Sequence, residues 1–313
     1  MDGDELWDIG PVNYDDDCDG DGMPNWYESG YGVANQGWQN PYIYNARYGV
    51  LIGGGGVGED AEGKNKNYPA FEKDLKEMYD KLKGYGYTDE NIYCLLWDKS
   101  AGYLSGRVDG PATWYGSTNT IRKSIEEIGT KITINDFFYF TEIGHGWYTD
   151  SYTDSYFNVV DGMAWDGGNV VEYSVYFGGS ASPSDRSLKQ VLDTHIGTHY
   201  ARSLFVFQSC KSGYAIDYLD GSNRIVISAT NKNQPAWTWK LSIYSDARDH
   251  WEFLHNDKGN GFTYSLGSST SCVSIGSAYN SGYSAAQDED LIGKGDWSTP
   301  QINNKSMADN TYL

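Results

Sequence analysis

The chain has 313 residues, which is enough for one large or two modest domains with a sizeable core. Its formal net charge of −20 at pH 7 argues against binding to nucleic acids and to anionic membrane surfaces. The sequence lacks an apolar run of about 18 residues, so it predicts no membrane-spanning helix.

An acidic segment at residues 17–28 matches the pattern of a calcium-binding EF-hand loop. Oxygen-bearing side chains occupy positions 1, 3, 5, 9 and 12, a glycine occupies position 6, and a backbone carbonyl is available at position 7. Ca²⁺ prefers about six to eight hard oxygen ligands, which alternating acids and a final Glu supply. The predicted ligands are Asp17, Asp19, Asp21, Met23 through its carbonyl, Asn25 and Glu28.

The flanks of this loop do not resemble two long helices, because Pro11 precedes it and several glycines follow it at residues 30–37. The segment is more similar to the calcium loops of dockerins and thrombospondin repeats. The alternative is a solvated acidic linker that binds no ion. We expect residues 1–45 to form a calcium-ordered structural segment, and such a site favours an extracellular or cell-surface location, although no signal peptide opens the sequence.

Apolar strands alternate with amphipathic helices from about residue 46 onward. Residues 48–58 form a predicted strand that runs into a glycine-rich loop, and residues 71–82 carry apolar side chains at helical spacing. Residues 92–97 form the next predicted strand, and a second helix follows at residues 121–128. Because such connections are right-handed, this order predicts a parallel sheet covered by helices on both faces, an α/β fold.

The glycine-rich loop also fits a dinucleotide-binding pattern, with Gly53, Gly55 and Gly58 at the required spacing. That motif should open a helix at once, but a polar stretch at residues 59–67 follows instead. The sequence therefore predicts no nucleotide cofactor.

Two apolar strands, residues 137–140 and 204–207, each run into a turn that carries a reactive side chain. The first turn holds His145 between two glycines, and the second holds Cys210 among small and polar residues. Neighbouring parallel strands end at one edge of a sheet, where α/β proteins place their ligands. A Cys with a His base is the pair that thiol-dependent acyl transfer requires. The alternative is a buried, inert Cys and an exposed turn His.

Residues 147–185 form a predicted insertion, in which alternating patterns at 156–160 and 170–177 indicate a hairpin. Further helices are predicted at residues 188–192 and 246–254, and a further strand at residues 224–229. The loop after that strand is expected to flank a cleft. Its two tryptophans, Trp237 and Trp239, form either an aromatic wall of the cleft or ordinary packing contacts.

The remaining cysteines and histidines predict no metal site. The four cysteines are widely spaced, so they form neither a disulfide framework nor a zinc ribbon, and a pairing of Cys18 with Cys272 stays open. His195 and His199 are four residues apart, but Gly197 separates them and no Glu is adjacent.

The two turns resemble those of the caspase–legumain group of cysteine peptidases (clan CD) and are most similar to the legumain branch. The resemblance rests on Tyr139-Phe140-Thr141 with His145-Gly146, on residues 209–213, on residues 227–237 and on Thr299-Pro300-Gln301. It extends over about residues 46–305, most of the chain.

This resemblance implies a caspase-like three-layer sandwich over residues 46–313, with a mostly parallel central sheet. It also implies a catalytic dyad of Cys210 and His145, with an oxyanion hole formed by the backbone N–H groups of Cys210 and Gly146. The glycine-rich loop would then line the substrate cleft.

The sequence departs from the legumain pattern at three places. The turn at residues 141–144 is longer than expected before a His-Gly pair, Lys211 follows Cys210 where an acid is usual, and Ala70 stands where the branch has an Arg. The preference of the legumain branch for a substrate Asn at P1 is therefore not expected for this protein.

The predicted function is a calcium-stabilised cysteine endopeptidase that acts on polypeptides through a thioacyl-enzyme, and the same intermediate would permit transpeptidation. The alternative is a non-catalytic calcium-binding surface or assembly protein that retains the fold. The 11 tryptophans also suit a carbohydrate-active protein, but no convincing pair of carboxylates accompanies them. The oligomeric state is not predicted.

Overall fold

A computed structural model of the protein describes residues 44–53, 55–56, 69–96, 107–108, 120–148, 155–158, 160–161, 174–178, 187–236, 238–240, 248–251, 253, 261–266, 273–287, 298–311 and 313. The predicted calcium loop, with Asp17, Asp19, Asp21, Met23, Asn25 and Glu28, lies outside the described residues. Cys18, Cys272, Trp237 and most of the glycine-rich loop also lie outside them. The calcium site and the division of the chain at residue 45 stay predictions.

The described residues form fourteen strands and seven α-helices. The strands are β1 (Arg47–Gly53), β2 (Gly55–Gly56), β3 (Ile92–Leu96), β4 (Arg107–Val108), β5 (Phe137–Ile143), β6 (His145–Tyr148), β7 (Ser155–Asn158), β8 (Val160–Asp161), β9 (Ser174–Tyr176), β10 (Arg202–Gln208), β11 (Arg224–Ser228), β12 (Thr238–Lys240), β13 (Arg248–Trp251) and β14 (Gln301–Ile302). The helices are α1 (Pro69–Gly84), α2 (Thr120–Gly129), α3 (Leu188–His195), α4 (Tyr214–Leu219), α5 (Phe262–Ser265), α6 (Ile275–Ala286) and α7 (Lys305–Ala308). None of these helices combines the length and the apolar character that a membrane span requires.

Seven strands form the central sheet in the order β14-β11-β10-β5-β1-β3-β4. All the pairings are parallel except that of β14 with β11, which is antiparallel. Every residue of β5 and of β11 is buried, as expected for inner strands covered on both faces. The strands predicted from the apolar runs are therefore confirmed.

Helices cover both faces of this sheet. One face packs against α1, α5, α6 and α7, and the other packs against α2, α3 and α4. On the first face, Gly49 of β1 allows α1 to pack closely on the sheet, since a Cβ at this position would lie 3.3 Å from Leu82 Cδ1. On the second face, Phe205 of β10 packs edge-on against Phe138 of β5, with ring centroids 5.7 Å apart. The predicted three-layer α/β fold with a mostly parallel sheet is confirmed.

The predicted insertion forms a second, three-stranded antiparallel sheet in the order β6-β7-β9. The predicted hairpin is present as the pairing of β7 with β9. Phe157 and Phe177 of this sheet pack on Phe207 of β10, with ring centroids 6.1 Å and 4.9 Å away. The small sheet is thereby attached to the second face of the central sheet, near its carboxyl edge.

Two local predictions are wrong. The helix predicted at residues 246–254 is instead the strand β13, which pairs with β12, so tertiary pairing overrides the local apolar spacing. The long turn predicted at residues 141–144 is also absent, because β5 continues to Ile143 in register with β1 and β10. Gly144 alone separates β5 from β6.

The C-terminal residues cover the outer edge of β11. Ile302 and Gln301 of β14 pair with Ile227 and Ser228. Asn303 continues this contact, because its side-chain Oδ1 accepts the Val226 N–H at 2.6 Å while its own N–H donates to the Val226 carbonyl at 3.1 Å.

Candidate active site

The carboxyl ends of β5 and β10 bring the predicted catalytic residues to one edge of the central sheet. These strands pair in parallel, with Ile143 opposite Gln208. The Gly144 N–H donates to the Gln208 carbonyl at 3.2 Å, which extends the contact beyond β5. His145 then begins β6, and Cys210 lies in the turn after β10.

Gly146 contacts the Cys210 turn directly. A Cβ at Gly146 would lie 2.3 Å from the Cys210 carbonyl oxygen and 3.2 Å from Ser209 Cβ. The backbone is held there by β6–β7 pairing, in which Gly146 lies opposite Phe157. Only glycine fits this contact without movement of the backbone, because the nearest atom belongs to a main-chain carbonyl.

The Cys210 thiol is partly buried and contacts the loop after β11. Its Sγ accepts the Ala236 N–H at 3.3 Å, and the thiol donates to the Ala236 carbonyl at 3.8 Å. Burial raises the pKa of the Cys210 thiol; Ala236 and the Lys211 ammonium oppose this shift, and Glu142 adds to it. The resting sulfur is therefore a thiol at neutral pH, and nucleophilic chemistry requires a base to take its proton.

Lys211 fixes the turn through a strained backbone conformation, with φ at +63°. Its N–H donates to the Gln234 carbonyl at 3.0 Å, and its ammonium donates to the Asn233 carbonyl at 2.7 Å. The ammonium also lies 4.9 Å from the centroid of the Tyr148 ring. Backbone strain of this kind persists only where surrounding contacts enforce it, and it is common at functional turns.

Three segments on which the family resemblance was based contact one another around this turn. They are residues 209–213, the loop after β11 and residues 299–301. Gly213 closes the Cys210 turn against the loop after β11, because a Cβ there would lie 2.5 Å from Lys232 N. The same Cβ would lie 2.8 Å from Gln301 Oε1. Gln234 Oε1 accepts the Thr299 N–H at 2.9 Å. The loop at residues 231–236 therefore flanks Cys210 as predicted, whereas the side chains of Trp237 and Trp239 are not described.

An exposed aromatic side chain lies next to the turn that carries His145 and Gly146. Trp147 follows Gly146 in β6 and is 53% exposed. Its ring contacts that of Tyr148 edge-on, at 6.2 Å between centroids. Large exposed aromatic groups next to reactive residues are suited to contacts with a substrate.

The sequence reasoning missed Glu142, which is fully buried. Neither of its carboxyl oxygens has a hydrogen-bond partner within the described part of the chain, and the same is true of the Ser209 hydroxyl. Burial raises the pKa of Glu142 well above its ordinary value, and the nearby Ser209 hydroxyl opposes the shift without meeting the geometry of a direct hydrogen bond. The available signal was a single acid within an otherwise apolar strand.

His195 and His199 do not lie on one helical face. His195 ends α3, and Gly197 takes a φ of +59° directly after it, so His199 does not continue the same helical face. Among the described residues, no group of three or more His, Cys, Asp or Glu side chains is arranged to hold a metal ion.

No family model and no curated protein matches the sequence. Among solved structures, the chain is similar to caspase-1 from Spodoptera frugiperda, with 10% sequence identity and a TM-score of 0.47. The alignment covers 84% of this chain and 88% of the caspase. A likeness of this degree carries no information about individual site residues, so their chemistry rests on the geometry described above.

Proposed function

We propose that the protein is a cysteine endopeptidase in which Cys210 is the nucleophile and His145 transfers protons. The observation that carries this proposal is the contact between the two turns, in which Gly146 touches the Cys210 carbonyl directly after His145. The turns that carry a thiol, an imidazole and backbone N–H groups thereby meet at the carboxyl edge of a parallel sheet.

The reaction begins when His145 takes the proton from Cys210 Sγ and the thiolate attacks the scissile carbonyl carbon. The negative charge moves to the carbonyl oxygen, where the N–H groups of Cys210 and Gly146 would stabilise it. As the C–N bond breaks, the amine leaves with the proton from His145, and an acyl group remains on the sulfur. Water then attacks this thioester while His145 accepts its proton, which releases the carboxylic acid and restores the thiol.

The surroundings of Cys210 support a polypeptide as the substrate. The loop at residues 231–236 flanks one side of the sulfur, and the exposed Trp147 lies beside the His145–Gly146 pair. An extended peptide could contact both features while its carbonyl approaches Sγ. An amine that replaced water in the second step would give transpeptidation from the same intermediate.

We also propose that Ca²⁺ bound at residues 17–28 stabilises the protein in an extracellular or cell-surface setting. The support is the donor set of the sequence, since five side chains and one carbonyl match the EF-hand positions. The ion would have a structural role and take no part in proton transfer.

One observation favours a second candidate, a calcium-binding surface or assembly protein without catalytic activity. Burial raises the pKa of the Cys210 thiol, which disfavours the reactive thiolate. The presence of a His in the turn that contacts Cys210 counts against the second candidate, because a scaffold requires neither residue.

The test is cleavage of a fluorogenic peptide library randomised at P1, with Ca²⁺ present. We compare the wild type with Cys210→Ala, and we use Cys94→Ala as the matched control because Cys94 is buried in β3, away from the site. We expect Cys210→Ala to lose more than about 1,000-fold in rate and Cys94→Ala to keep cleaving.

Equal cleavage by all three proteins would reject Cys210 as the nucleophile. No cleavage by any of them, with the fold intact, would favour the non-catalytic candidate. Thermal melts with and without EGTA test the calcium proposal. Removal of a bound ion lowers the melting temperature, whereas an acidic linker that binds no ion would show no change.

A further inference from the structure

Glu142 lies in an apolar environment between the neighbouring strands. It is opposite Ile52 of β1 and Phe207 of β10. By the alternation of side chains along β5, it faces the same side of the sheet as Phe138 and Phe140. Phe207 packs in turn against Phe157 and Phe177 of the small sheet. A carboxyl group surrounded by hydrocarbon strongly favours its uncharged form.

Glu142 also lies beneath the contact between the two catalytic turns. It precedes His145 by three residues on one chain segment, and Ser209, which acts on its carboxyl, immediately precedes Cys210. Ser209 Cβ lies 3.2 Å from the position that a Cβ on Gly146 would take. The buried acid is therefore adjacent to both turns that carry the proposed catalytic groups.

Few polar groups share this environment. Ser209 is the polar side chain that acts on Glu142, while Lys211 lowers the pKa of the Cys210 thiol and Glu142 raises it. The titratable His145 begins β6. Among the described residues, the side chains that pack here from the neighbouring strands are apolar: Ile52 of β1, Phe157 of β7, and Phe177 directly after β9.

We propose that Glu142 is a positioning residue for the thiol chemistry: its carboxyl and the Cys210 thiol are two acids of one site, of which only one at a time becomes negative, so Glu142 governs the pH at which the thiolate forms. Two anions this close in a medium of low dielectric constant oppose each other, so an ionised Glu142 would disfavour the Cys210 thiolate. The proposal rests on the proposed nucleophilic role of Cys210 and adds the condition under which its thiolate forms.

The test is the rate of Cys210 alkylation by iodoacetamide between about pH 5 and pH 10, measured on the Cys210 peptide by mass spectrometry. We compare the wild type with Glu142→Gln, which keeps the shape of the side chain but cannot ionise. We expect the Glu142→Gln profile to shift to lower pH, with at least about threefold faster alkylation at pH 9, because no second anion competes.

Glu90→Gln is the matched control, since Glu90 is an exposed acid ahead of β3. We expect its profile to coincide with that of the wild type. The buried Cys94 reports folding in every sample, because it stays unlabelled only while the core is intact. A variant Glu142→Leu provides a second uncharged side chain, for which we expect the same shift.

An unshifted Glu142→Gln profile in protein whose Cys94 stays protected would overturn the proposal. Unfolding of both Glu142 variants would also overturn it, since Glu142 would then be required for the fold alone. Alkylation needs no peptidase activity, so a failed library experiment leaves this readout intact, and the two proposals fail separately.

Discussion

Two buried acids lie at the opposite ends of β5, and their surroundings differ completely. Asp136, just before the strand, accepts the Ala46 N–H at 2.9 Å, the Thr133 N–H at 2.7 Å and the Thr133 hydroxyl at 2.9 Å. Glu142, near the carboxyl end, has no such donor within the described residues. The amino-terminal acid therefore joins the segment before β1 to the turn before β5, whereas the other acid is buried at a cost in stability.

This comparison distinguishes a buried polar group that stabilises the fold from one that is buried at a functional site. A buried acid whose oxygens all accept hydrogen bonds contributes to folding, so its removal should destabilise the protein. A buried acid without donors destabilises the fold, and such groups concentrate at functional sites. The turn with positive φ at Lys211 and the close contact of Gly146 lie at the same edge as Glu142.

The largest expected effect is on Asp136. Asp136→Ala leaves the N–H groups of Ala46 and Thr133 without their acceptor, so we expect a loss of about 3 kcal/mol in the free energy of unfolding. We expect Glu142→Leu to be neutral or stabilising, because it replaces an unsatisfied carboxyl by hydrocarbon of similar size. Urea denaturation measures both changes.

Asn135→Ala is the control for this pair, since Asn135 is exposed beside Asp136. A change within about 0.5 kcal/mol is expected for it. A larger loss of stability in Glu142→Leu than in Asp136→Ala would contradict the conclusion that Asp136 stabilises the fold and Glu142 does not.

An intermediate effect is expected at Gly146. Gly146→Ala places a methyl group 2.3 Å from the Cys210 carbonyl oxygen, so we expect a loss of about 2 kcal/mol in stability. Displacement of the dyad should also lower peptide cleavage by about 100-fold. Thermal melts and the peptide library measure the two effects.

Gly84→Ala is the matched control, because a Cβ at this exposed end of α1 meets nothing within 4 Å. We expect its stability to be unchanged or slightly higher, since Ala favours helix. Wild-type stability and cleavage in Gly146→Ala would contradict the described contact between the two turns.

The smallest expected effect on stability is at Lys211, where Lys211→Asn should change the free energy of unfolding by less than about 1 kcal/mol. Asn tolerates the positive φ of this position, which offsets the lost bond to the Asn233 carbonyl. The Lys211 ammonium lowers the pKa of Cys210, so its removal should shift the alkylation profile to higher pH, opposite to the shift expected for Glu142→Gln.

Lys232→Asn controls for the loss of a positive charge, because Lys232 is near the same loop but forms an ion pair with Asp217. We expect no shift in its profile. Equal shifts in the two lysine variants would mean that Lys211 acts through net charge alone and not through its position next to the sulfur.

The fold was predictable because wholly apolar runs identify the buried strands of the central sheet. Residues 137–140 and 204–207 cannot be exposed to water, so their burial in a parallel sheet follows from sequence alone. The helix predicted at residues 246–254 failed because a short segment takes its structure from a partner strand, which local spacing does not identify.

The candidate site was predictable only in its reactive groups. His145 and Cys210 could be found because each follows an apolar strand, but the contact between their turns depends on the register of β5 with β10. The same register explains why Glu142 was missed. Thr141, Glu142 and Ile143 had the composition of a turn, and only pairing on both sides makes them an inner strand.

The C-terminal cover of β11 limits how the molecule can associate with others. An uncovered edge strand presents free N–H and C=O groups, on which a second chain can build another strand. Here the contacts of residues 301–303 already occupy those groups from Val226 to Ser228. Addition of a strand directly to β11, whether by self-association or by capture of an extended peptide, would first require these residues to be displaced.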